Sequence, residues 1–261
     1  MSAFDRFRAL HQENGLFVMA NAWDVGSARL LEHLGFAAIA TTSSGFAAAL
    51  GRLDGGIDRD MAIGHGAELA AAVKIPVSAD LENCFADTPE GVAETIRAAA
   101  ATGLAGGSIE DWSGSEIYER ELAVERVRAA VEAAAGEFVV TARAENLIRG
   151  IDDLGDTIAR LQAFAAAGAD VLFAPGLASA DQIRAVLSSV NAPLSVLILP
   201  GVPPVRELAE LGVRRVSVGG AFAFTAYGAL VRAAREILDE GTYSLAELAV
   251  AGHDAVNAAF G

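Results

Sequence analysis

The chain has 261 residues, is 53% hydrophobic and carries a formal charge of −15. That acidic balance excludes a nucleic-acid partner, which needs clustered Lys and Arg against phosphates, and no apolar run is long enough to predict a membrane span. A single cysteine, Cys84, leaves no internal disulfide and fits a reducing cytoplasm.

The opening stretch MSAFDRFRALHQENG is charged and helical in pattern, without the apolar centre of a secretion signal. Short β-branched runs then alternate with Ala-rich helical stretches. Strands are predicted over 16–20 (LFVMA), 37–42 (AAIATT), 75–80 (IPVSAD) and 104–110 (LAGGSIE). Four more are predicted over 138–144 (FVVTARA), 169–175 (ADVLFAP), 194–199 (LSVLIL) and 214–219 (RRVSVG). Between them, TPEGVAETIRAAAATG has Thr88 to cap a helix and Pro89 for its first turn, and DDLGDTIARLQAFAAAGAD and PPVRELAELGV each close on a glycine. Eight strands alternating with helices predict a (β/α)8 TIM barrel, an α/β fold formed by residues 1–261 as a single domain with extra helices at both ends. The rival, a doubly wound open sheet, usually carries a glycine-rich phosphate fingerprint after its first strand; here NAWDVGSARLL follows instead.

Barrel enzymes keep their reacting groups at the C-terminal ends of the strands. Strand two ends in Thr41, Thr42, Ser43, Ser44 and Gly45, and a loop is predicted from there to Asp54. Strand three ends in Asp80 and Glu82, strand four in Glu110 and Asp111, and strand five in Arg143, Glu145 and Asn146. Alternation puts Ser78, Asp80 and Glu82 on one face, and Thr141, Arg143 and Glu145 likewise, so the pattern predicts an acidic pocket with one arginine. Like charges placed together are costly unless a cation lies between them. Converging carboxylates without histidine or cysteine are hard oxygen ligands that suit Mg²⁺ or Mn²⁺ rather than zinc.

Other chemistries lose their residues. The only lysine, Lys74, sits at the start of strand three, on the wrong rim for a Schiff base. The four histidines (His11, His33, His65, His253) fall in helical segments, so neither a triad nor a zinc site is expected. There is no G-x-S-x-G and no phosphate-binding G-x-x-x-x-G-K-[ST]. Cys84 has no histidine or lysine beside it and reads as a packing residue. Ser113 and Ser115 read as turn residues, and the pair Gly219 and Gly220 as a point of close packing.

The ordered set NAWDVGSARLLEHLGFAAIATTSSGFAAALGRLDG, PVSADLENCF, GGSIEDW and TARAENLIRG resembles the isocitrate lyase/phosphoenolpyruvate mutase superfamily over most of the chain. The resemblance implies a Mg²⁺-dependent barrel acting on 2-oxo or 2-hydroxy carboxylates through a pyruvate-like enolate. It implies Asp80 as direct metal ligand, with Glu82 and Glu110 acting through water. It implies Ser44 and the amides of Gly45 and Phe46 as the carboxylate site, and Asp54 and Arg143 at the reacting centre. Trp23, Phe46, Trp112 and Phe173 would shape the pocket. It also implies a homodimer or homotetramer, with the last helix or the one before it exchanged between subunits. Two departures bear on the reaction. The well-known isocitrate and methylisocitrate lyases carry Lys-Lys-Cys-Gly-His after strand four, where this chain reads DWSGSEIYERE, and the phosphonate enzymes have a lysine, an asparagine and a strand-six histidine that are missing here. A C–C lyase or decarboxylase is therefore expected first and P–C bond chemistry second, with a non-catalytic carboxylate binder as the alternative of a different class.

Overall fold

The computed structural model describes residues 1–13 and 15–261. Eight parallel strands close into a barrel in chain order. They are β1 Phe17–Ala22, β2 Ile39–Thr41, β3 Val77–Asp80, β4 Gly106–Glu110, β5 Val139–Arg143, β6 Val171–Phe173, β7 Leu194–Leu197 and β8 Arg215–Ser217. Each predicted run supplies one strand. Closure comes from β1 pairing β8, with Phe17 opposite Arg215 and Met19 opposite Ser217, so the sheet has no free edge and is not an open one.

The helices are α1 Ala3–Gln12, α2 Val25–His33, α3 Ser43–Ala49, α4 Arg59–Ala72, α5 Pro89–Ala100 and α6 Arg120–Ala134. Then come α7 Leu154–Ala166, α8 Ala180–Ser189, α9 Val205–Leu211, α10 Ala221–Arg235 and α11 Ala246–Phe260, with one π-helical turn at Glu236–Glu240. Alternation along the strands sorts the side chains: Ala79, Leu81, Val140, Ala142 and Ala144 join the apolar layer under Ile96, Leu161 and Phe164, whereas Ser78, Asp80, Thr141 and Arg143 face the lumen. Thr88 caps α5, accepting from the Gly91 N–H at 3.2 Å. α7 and α9 are each followed by a left-handed glycine, Gly168 (φ 99°) and Gly212 (φ 97°), a conformation that costs a residue with a Cβ about 1–2 kcal/mol.

α1 stoppers the lower end of the barrel. Ser2 and Asp5 form a capping box at its start, and Phe7, fully buried, packs on Met19, Ala38, Ala40, Ala105, Val139 and Val171. β4 makes room for it. A Cβ on Gly106 would lie 2.6 Å from the Val139 carbonyl oxygen and 3.0 Å from the Phe7 ring. Backbone cannot yield there, so Gly106→Ala is expected to destabilise the fold by about 1–3 kcal/mol, read as a lower denaturant midpoint at unchanged m-value.

One feature departs from the sequence reading. Residues 43–49, predicted as the end of strand two and the loop after it, form α3, because the Thr42 hydroxyl accepts from the Gly45 N–H at 3.3 Å and so caps the short run that follows. The C-terminal pair is helical as predicted; within the chain α11 lies over α2, with the Phe260 ring near Gly26, and buries none of its own residues. Phe224, Leu230, Leu238, Tyr243 and Val250 on these last elements are exposed. Among the described residues no helix is long and apolar enough to cross a membrane. Lys74 is exposed on the lower rim, where its carbonyl accepts from Arg6 at 2.7 Å.

Candidate active site

The C-terminal ends of the strands surround a cavity of about 290 Å³. At its centre is Arg143, the last residue of β5. Its Nη1 lies 3.0 Å from Glu110 and 3.3 Å from Asp80, and its Nε 2.8 Å from Glu145. In this arrangement the positive group between the acids is a guanidinium. Burial alone would weaken its charge, but Glu110, Glu145 and Asp80 outweigh that and hold the proton more firmly than usual. Asp80 is further fixed by the Ser43 N–H at 3.2 Å, the Ser108 hydroxyl at 3.3 Å and, through its own N–H, the Thr41 hydroxyl at 2.8 Å.

Burial drives the Glu110 carboxyl upward; Arg143 opposes this, and Glu145 and Asp80 add to it. Asp111, next in sequence, turns to the other side: it accepts from the Glu145 N–H at 2.8 Å and pairs with Arg160 at 3.3 Å, so it braces the site from behind. Glu82 does not share Asp80's cavity as strict alternation predicts. β3 ends at Asp80, Leu81 is buried in the helix-facing core, and the backbone turns left-handed at Glu82 (φ 49°). Glu82 therefore opens onto an adjoining pocket with Asp54, Trp112 and Arg149. There its Oε1 is buried without a hydrogen-bond partner, and burial, then Asp80 and Asp54, push the carboxyl up to about 7.

Of the carboxylate-binding residues implied by resemblance, Ser44 lines the cavity, with Asp54 accepting from the neighbouring Ser43 hydroxyl at 3.0 Å. Gly45 and Phe46 sit behind that wall. The Gly45 N–H points to the Thr42 hydroxyl, the Phe46 N–H donates to the Thr42 carbonyl at 2.9 Å, and the Phe46 ring stacks on His65. Trp23 is also outside the cavity lining, its Cβ against Gly45. The first turn of α3 draws these amides into the helix, which a loop would not have done. Gly220 is a packing glycine as predicted, since a Cβ there would meet the Ser44 hydroxyl at 2.8 Å.

The expected single arginine is a correction: Arg143, Arg149 and Arg215 all line the cavity. Arg149, in the turn after β5, approaches Glu110 and Glu145 at 3.3 Å each and stacks on the Trp112 ring at 4.7 Å. Arg215 enters from the lower end, bonded to Ser195 at 2.9 Å and Thr141 at 3.2 Å; burial, then repulsion from Arg143, lowers it to about 9. Alternation could have found Arg215, which shares its face with Ser217. Asn21, also missed, ties the mouth together by accepting from the Gly219 N–H and donating to the Thr41 carbonyl, each at 2.8 Å. Ser113 is a turn residue as predicted, its hydroxyl accepting from the Glu116 N–H at 2.9 Å. Buried Cys84, pushed by burial up to about 12, is no nucleophile.

Among the described residues no three acid, histidine or cysteine side chains stand together closely enough to enclose a metal ion. The donor chemistry nonetheless fits a hard dication. The charged ligands available are all carboxylates, Glu82 Oε1 is buried without a donor, and five acids against three arginines leave the two pockets a formal charge of −2.

The family described as phosphoenolpyruvate phosphomutase matches residues 7–238. A solved protein of Burkholderia cenocepacia J2315, provisionally classed as a lyase or mutase, is 52% identical, with a TM-score of 0.93 over 97% of this chain and 94% of that one. The 2-methylisocitrate lyase of Escherichia coli is 29% identical over 90% of this chain and 83% of its own length. The oxaloacetate decarboxylase of a Bradyrhizobium strain is 29% identical over 76% and 71%. The barrel, the strand-end acids about Arg143 and this match over most of the chain agree: the protein belongs to the phosphoenolpyruvate phosphomutase family, within the phosphoenolpyruvate mutase/isocitrate lyase superfamily.

Proposed function

We propose that this protein is a Mg²⁺-dependent (or Mn²⁺-dependent) C–C bond lyase or decarboxylase acting on a small 2-oxo or 2-hydroxy carboxylate through a pyruvate-like enolate. The observation that carries this reading is the placement of Arg143, held by Asp80, Glu110 and Glu145 in the cavity that Ser44 also lines. The substrate carboxylate docks on Ser44 at the start of α3, with the amides of Gly45 and Phe46 behind it. Arg143 faces the oxygen on which charge develops. A fixed donor of this kind is worth about 3–4 kcal/mol in a dry site. Asp80 would hold the cation directly, with Glu82 and Glu110 acting through water; when bound, the cation would polarise the substrate oxygens and stabilise negative charge on them. Asp54, which accepts from the Ser43 hydroxyl, would move a proton to or from the substrate. The apolar residues exposed on α10 and α11 support assembly with further copies of the chain.

The test is pyruvate release, followed by coupled lactate dehydrogenase with Mg²⁺ present. Oxaloacetate, methylisocitrate and phosphonopyruvate are offered separately. Turnover of either of the first two, lost in Asp80→Ala, is the expected result. Turnover of phosphonopyruvate instead would give the protein to P–C chemistry, the second reading, which the matched family supports. No pyruvate from any of the three and no phosphoenolpyruvate from phosphonopyruvate (read by adding pyruvate kinase and ADP to the same assay), with Mg²⁺ and a 2-oxo acid still bound, would leave a substrate outside these three or a binder.

A further inference from the structure

The three arginines of the cavity differ in how many donors they have left. Arg143 is boxed by three acids, and Arg215 is buried against Ser195 and Thr141. Arg149 is about one-third exposed and uses only Nη2, at 3.3 Å from both Glu110 and Glu145. Its Nε and Nη1 have no partner among the described residues. One face of the guanidinium is stacked on Trp112, which fixes its plane and leaves an edge for a planar anion. Arg149 also lines both the main cavity and the adjoining pocket with Asp54 and Glu82. It follows β5, whereas Ser44 follows β2, three strands away around an eight-stranded barrel, so the two stand on nearly opposite walls.

We propose that Arg149 is a specificity-determining residue that binds the distal carboxylate of a diacid substrate, opposite the carboxylate held at Ser44. This rests on the reading of the site as one for 2-oxo or 2-hydroxy acids. Ile148, Phe173 and Leu197 line the cavity on the same side, so the segment joining the two carboxylates passes over an apolar wall. A diacid meets a charged fork at its far end, and a monoacid leaves that fork unused.

Lactate and malate share a 2-hydroxy-acid head and differ by the distal carboxylate, so their dissociation constants, measured by calorimetry on the full chain with Mg²⁺, isolate this contact. In the wild type malate is expected to bind about 10- to 100-fold more tightly than lactate, the value of a charge-assisted pair. In Arg149→Gln that advantage should shrink to about twofold with lactate unchanged, and Arg149→Lys should restore part of it. Equal binding of the two acids by the wild type, or a malate advantage that survives in Arg149→Gln, overturns the proposal alone. Parallel weakening of both acids in the variant overturns it too, because Arg149 would then be a prop for Glu110 and Glu145. If neither acid binds the wild type, the proposal falls together with the reading beneath it.

Discussion

Arg143→Ala is expected to reduce turnover by at least about 10²- to 10³-fold, the value of one preorganised donor to an oxyanion, and also to destabilise the fold. The second effect follows from its partners. Glu110 and Glu145 are both buried and meet the same guanidinium, and removing one member of a buried ion pair costs about 3–5 kcal/mol. Protonation limits that cost, since burial already favours the neutral form of Glu110. A carboxyl whose folded pKa lies above its unfolded value contributes stability at low pH and loses it as pH rises through the folded value. The variant's deficit should therefore be smaller near pH 6 than near pH 9. Urea denaturation of wild type and variant at both pH values measures this, and a deficit independent of pH would mean that Arg149 alone satisfies the two acids.

The second large effect concerns the cation. At about one hundred times its dissociation constant, Mg²⁺ is expected to stabilise the protein by about 2.7 kcal/mol, read as a rise in melting temperature. Asp80→Ala should lose this rise and at least about 10³-fold in activity, the counterpart of several kcal/mol of charge stabilisation. The pH dependence has a definite sign. Glu82 is pushed up to about 7 by burial, then by Asp80 and Asp54, and only its ionised form is a ligand. Mg²⁺ affinity should then fall below pH 7, by up to about tenfold per unit from this group. Close to one proton should be released per cation at pH 6, with much less at pH 8.5. A melting curve unmoved by Mg²⁺, Mn²⁺ or chelator would remove the acids from consideration as a metal site.

The barrel was legible because each strand is a short apolar run set between Ala-rich helical stretches, and strands two to five also carry polar residues at their C-terminal ends. Asp80, Glu110 and Arg143 could be placed for the same reason, since the alternation that puts Val140 and Ala142 against helices puts Arg143 in the lumen. What escaped lies just past the ends of the strands, where the period of two no longer holds. Glu82 sits in a left-handed turn, so counting by twos from Asp80 gives its neighbourhood but not its cavity. Arg149 is six residues beyond the end of β5, and only the three-dimensional course of that turn brings it back over Trp112. The polar run Thr42-Ser43-Ser44 reads equally as a loop and as the start of a helix. Thr42 decides for the helix, and so withdraws two amides that the family resemblance assigns to the substrate.

The stopper formed by α1 also bears on the order of events. With Phe7 filling the lower end of the barrel, the cavity lies at the C-terminal ends of the strands, so the two halves of a molecule split inside it would both leave past the loops at that end. Queueing is then built into the architecture: the half nearer the loops leaves first, and the half lying deeper beside Arg143 leaves second. Kinetically, the late-leaving half meets the empty enzyme and competes with substrate, whereas the early one can only rebind behind it.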